Sequence, residues 1–130
     1  MSDGKDPDLL LSLPCDRHAP GFVRSALDGI DGIASIRDDA KLIASELVTN
    51  AVLHSGCSER DTIDVRATAS SDRLILSVHD PGPKPIGLNS PAHGRLGGLG
   101  LRIVQQLATA WGAEHPDGVR VWAELAIERW

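Results

Sequence analysis

The chain has 130 residues, 42% of them hydrophobic, with 13 basic against 18 acidic side chains and a formal net charge of −5. That is the size of one domain with a real core, and the composition excludes a disordered chain. With no Lys/Arg run and no apolar run near the roughly 20 residues that span a bilayer, neither nucleic acid nor a membrane is expected as a partner.

In chain order, the polar start "MSDGKDPD" carries no signal-peptide core and reads as disordered over 1–8, with a single domain over 9–130 and a cytoplasmic location. "LLLSL" at 9–13 is a short strand ended by Pro14. A first helix is expected over 20–30, with Phe22, Val23, Ala26, Leu27 and Ile30 on one side. Cys15 and Cys57 are the only cysteines. They make no disulfide framework and lack metal-ligand spacing, so they read as two ordinary thiols in a reducing compartment.

The strongest helix runs from Arg37 to Ser55 with Gly56 as its stop. "TIDVRAT" and "RLILSVHD" alternate apolar and polar residues about the turn "SSD" and predict an antiparallel hairpin. The stretch 81–98 is too rich in proline and glycine for regular structure, and loops this long are functional or disordered. "LGLRIVQQLATAWG" predicts a helix stopped by Gly112, and "GVRVWAELAIE" a closing strand with Val119, Val121, Ala123, Leu125 and Ile127 on one face. The expected architecture is a two-layer α/β sandwich, a mostly antiparallel sheet covered on one face by helices.

Three features place polar groups where apolar ones belong. At roughly 100° per residue, Asn50 lies about 20° from Ile43 around the long helix, His54 falls between Ile43 and Leu47, and Glu46 sits at the edge of the same arc. Asp80 continues the inward parity of Leu74, Leu76 and Val78 at the end of its strand. The glycines at 94, 97, 98 and 100 lead into a helix, where backbone N–H groups suit phosphate. This glycine pattern is neither a Walker-A loop nor a Rossmann fingerprint. Each feature has an ordinary structural reading: an internal polar network, a turn aspartate, a plain loop. All of them in this order are more than an internal network requires.

In that order they resemble the GHKL superfamily of ATPases and kinases, which use the Bergerat ATP-binding fold. "ELVTNAVLH" resembles the N box, "DPGP" a shortened G1 box and "GGLGL" the G2 box. With the closing "VWAEL", the chain is similar over roughly 9–127 to the small anti-sigma-factor serine/threonine kinases. The resemblance implies ATP and Mg²⁺ as cofactors, with Asn50 as metal ligand and Glu46 as general base. It implies that His54 lies near the phosphates, Asp80 accepts from the adenine amino group, and Gly82 permits close approach to the base. Gly98, Leu99, Gly100 and Leu101 would cradle the phosphates, and residues 83–97 would be the ATP lid. The implied partners are an anti-anti-sigma protein and a sigma factor, with homodimers known among relatives. A non-catalytic module that sequesters a partner is the alternative, and a detached histidine-kinase catalytic domain ranks below both. Three departures bear on nucleotide affinity: Lys84 replaces a glycine of the full G1 box, "GVRV" lacks a threonine that relatives often carry, and the lid is rich in proline.

Overall fold

The computed structural model describes residues 6–81, 101–115 and 117–127. Strand β1 (Leu9–Pro14) is followed by helix α1 (Ala19–Leu27), a 3-10 turn (Ala34–Ile36) and the long helix α2 (Arg37–His54). The hairpin β2 (Thr62–Ala69) and β3 (Arg73–Asp80), helix α3 (Leu101–Leu107), and strands β4 (Ala110–Glu114) and β5 (Val119–Ala126) complete it. The five strands form one sheet in the order β1-β2-β3-β5-β4, with every neighbouring pair antiparallel.

Alternation in the strands builds the two layers. Ile63, Val65 and Ala67 of β2, Leu74, Leu76 and Val78 of β3, and Val121, Ala123 and Leu125 of β5 are buried under the helices. Register aligns them in rows across the sheet, such as Leu11–Val65–Val78–Val121. The intervening positions Asp64, Arg66 and Arg73 are exposed on the other face. Asp8 extends the β1 edge outward: its N–H donates to the Ala67 carbonyl at 2.8 Å, and its carboxylate accepts from the Ala69 N–H at 2.7 Å.

Helix α2 is the central piece of the helical layer, in contact with α1, α3, β3 and β5. Asp38 and Asp39 in its first turn oppose the helix dipole favourably. Arg37 donates to the Leu27 carbonyl at 2.6 Å, which satisfies an end of α1. Ser55 caps α2 at its C-terminus, and Gly56 follows at φ +84°, a left-handed conformation in which glycine is unstrained.

Three expectations change. Helix α1 ends at Leu27, and Phe22 lies outside its buried stripe at 56% exposure, because Val23, Leu27 and Ile30 already fill the space against α2. The helix expected to run through Gly112 stops at Leu107, and 110–114 forms the edge strand β4. The Thr109 N–H and hydroxyl both reach the Glu124 carbonyl, at 2.8 and 3.1 Å, and start a pairing that overrides local helix preference. Gly112 is therefore no helix stop. It faces Trp122 across the pair, and a side chain there would meet the indole at 3.0 Å. Finally, Cys15 and Cys57 are not separate thiols but a disulfide, with Cα atoms 6.3 Å apart at a sequence separation of 42. On the chain-entropy model, closing such a loop stabilises the fold by ~4 kcal/mol.

Candidate functional site

A cavity opens where the C-terminal half of α2 crosses the ends of β3 and β5. Leu47, Asn50, Ala51, His54 and Ser55 line it from α2, and Leu101 lines it from the start of α3. The sheet contributes Val78 and Asp80 from β3, and Val119 and Val121 from β5. Bounded by the described residues, its volume is about 40 Å³, room for a water or a small polar group.

Most of the wall is apolar, and of its four polar residues, Asn50, His54, Ser55 and Asp80, two are buried. Asn50 is 7% exposed and Asp80 5%. Asn50 is buried because it continues the stripe of Ile43 and Leu47 toward the sheet. Asp80 is buried because it closes the inward row of β3, directly across from Val119. The Asn50 side-chain Nδ2 has no hydrogen-bond partner among the described residues. Leaving such a donor unmet costs about 1–3 kcal/mol, which a ligand acceptor would recover. A half-turn of the amide exchanges its nitrogen and oxygen, so the same position can present a carbonyl to a cation.

The other residues singled out in the sequence divide. His54 lines the cavity and is exposed, because it is the last residue of α2 and nothing among the described residues covers it. Leu101 is fully buried beneath the same space. Glu46 is half-buried one turn before Asn50 and is not among the cavity's lining residues. Gly82, Gly98, Leu99, Gly100 and the 83–97 segment lie outside the described residues. Among the described residues, no three His, Cys, Asp or Glu side chains gather as a metal site. A magnesium ion here would depend on Asn50 and on ligand phosphates, a usual arrangement for that ion.

One contributor was not legible in the sequence. Gly118, in the turn before β5, has φ +87° and lies directly on the end of β3. A side chain there would collide with the Asp80 carbonyl oxygen and stand 2.7 Å from the Pro81 carbonyl carbon. The neighbouring Asp117 carbonyl is 2.6 Å from the His79 ring nitrogen Nε2. The β4–β5 turn thus clamps the backbone that carries Asp80. "DG" marks a turn, but nothing local says what that turn packs against.

Comparison with known proteins agrees with this fold. The chain is 30% identical over 126 residues to serine-protein kinase RsbW of Bacillus licheniformis, covering 83% of this chain and 78% of that protein. It is 28% identical over 128 residues to serine-protein kinase RsbW of Bacillus velezensis, covering 85% and 80%. Among solved structures, it is similar to the histidine kinase domain of a blue-light activated histidine kinase from Erythrobacter litoralis, with a TM-score of 0.52 and 22% identity. That match covers 97% of this chain and 66% of the other, just under two thirds, and bears on fold alone. The profile of the histidine kinase-like ATPase domain matches residues 17–125. The chain belongs to the histidine kinase-like ATPase domain family, within the GHKL group.

Proposed function

We propose that the chain binds Mg-ATP in this cavity and phosphorylates a serine of an anti-anti-sigma protein, the partner whose modification releases it to hold a sigma factor. The observation that carries the reading is the pairing of two buried polar side chains, Asn50 and Asp80, on one mostly apolar cavity. The set fits the ligand. Val78, Val119 and Val121 offer apolar surface to the faces of a purine, and Asp80 accepts from its amino group. Asn50 is the residue whose amide would hold the magnesium ion, and His54, on the exposed rim, would lie nearest the phosphates.

Bound Mg-ATP supplies the phosphoryl group. Glu46, half-buried one turn from Asn50, takes the proton as the serine oxygen bonds to the γ-phosphorus and ADP leaves. The two serine-protein kinases to which the chain is similar support the reaction class. No described helix is long and apolar enough to cross a membrane.

The test is Mg-ATP calorimetry followed by transfer to a purified anti-anti-sigma protein. Wild type binds nucleotide and places phosphate on serine. Glu46→Gln binds equally well while transfer falls by roughly 10²–10⁴. A second reading, a module that sequesters its partner without turnover, is favoured by one observation: Glu46 stands off the cavity wall. Partner binding with no transfer in either protein would select that reading.

A further inference from the structure

We propose that Cys15 and Cys57 form a reversible thiol–disulfide pair that sets the order of the last turn of α2, and through it the affinity of the cavity for nucleotide. The affinity half rests on the function proposed above; the structural half does not.

The bridge joins two unlike places. Cys15 follows β1 and is 4% exposed, and its N–H donates to the Asp61 carbonyl at 3.1 Å. Cys57 is half-exposed and lies two residues beyond Ser55, with only Gly56 between. The Cys57 N–H donates to the Ser55 hydroxyl at 3.0 Å, and its sulfur lies 3.5 Å from the Ala51 carbonyl oxygen. Ser55 and Ala51 both line the cavity. The bond therefore ties the cavity's helical wall to a fixed point of the sheet.

Breaking it affects the two ends differently. Cys15 keeps its backbone bond and its place in the core. Residues 58–61 keep their own closure, with the Ser58 N–H on the Asp61 carboxylate at 2.8 Å and the Asp61 N–H on the Ser58 carbonyl at 2.9 Å. Only the segment from Ser55 to Cys57 loses its covalent anchor. A chain of this size with a continuous apolar core does not need a staple to fold, unlike small secreted domains. The partly exposed Cys57 is the end at which the bond can be opened and remade.

The exchange balances with a low-molecular-weight disulfide as oxidant. The half-exposed Cys57 thiolate attacks it and forms a mixed disulfide, releasing one thiol. Cys15 then attacks the Cys57 sulfur, closing the bridge and releasing the second thiol. Two electrons and two protons pass from the protein to the oxidant, and excess thiol reverses both steps.

The experiment uses the full chain in glutathione buffers poised reducing or oxidising, with thiol trapping to quantify each state. Amide exchange across Ala51–Cys57 is expected to be ~10-fold faster in the reduced form, because the turn opens more readily. Mg-ADP affinity, by calorimetry, is expected to be ~3–10-fold weaker, since binding must then order that turn. A Cys15→Ser/Cys57→Ser double variant should match the reduced form in both buffers. Equal exchange in both states, a bridge that thiol cannot open in the folded chain, or global unfolding on reduction would each overturn the proposal. Redox-dependent exchange with no Mg-ADP binding in either state supports the structural switch and overturns the nucleotide reading.

Discussion

The two halves of α2 cross the same sheet but bury different things. The first half sets Ala40, Ile43 and Ala44 into the core at zero exposure, and Leu47 and Val48 carry that packing into the second half. The second half places Asn50 in the same stripe and ends at His54 on an open cavity. Every apolar group in the first half contributes to stability by leaving water. In the second half, a buried amide lacking a partner among the described residues works against it. One helix thus holds the fold with one end and presents chemistry with the other, and sites that bind commonly sacrifice stability in this way.

Substitutions along the helix and at the facing strand can break that division. The largest effect is expected at Ile43, which is completely buried. Ile43→Ala should lower unfolding free energy by about 2–5 kcal/mol in urea titrations. Nucleotide affinity of the folded protein should not change, and a parallel loss of affinity would mean that the two halves are not separable.

At the cavity, Asp80→Asn should do the reverse. It keeps the shape of the side chain but replaces one acceptor with a donor. Calorimetry should show nucleotide binding weakened by about 1–3 kcal/mol, the worth of one mispaired buried group. The urea midpoint should move little. Unchanged affinity would remove Asp80 from base recognition.

The smallest shift in stability, and the sharpest test, belongs to Asn50→Leu. Leucine fills similar space without an unmet donor, so stability should hold or rise by up to about 1 kcal/mol. Nucleotide binding should be lost at the same time. A destabilisation comparable with that of Ile43→Ala would show that the amide serves the fold.

Much of this was legible before any coordinates. The period of α2, its stop at Gly56 and the alternation of β2, β3 and β5 are short-range patterns, fixed by backbone geometry and by which side chains avoid water. The inward turn of Asp80 followed from parity alone. The N-box, G1-like and G2-like stretches, in order, pointed to the family that the profile match bears out. His54 was less legible: its angle on the helix is right, but angle does not say where the covering layer ends.

What the sequence determined by itself was therefore periodicity, and with it the layers, the family and the buried polar positions on α2 and β3. Tertiary structure alone decided the rest, because each remaining feature depends on residues far apart in the chain. Ala110–Glu114 becomes an edge strand only because β5 offers its free side. Gly118 matters only because its turn lies on Asp80 and Pro81. Cys15 and Cys57 pair because the end of β1 and the end of α2 arrive at the same corner, at a sequence separation of 42. Local preference cannot encode such meetings; they follow from how the sheet and helices close around one core.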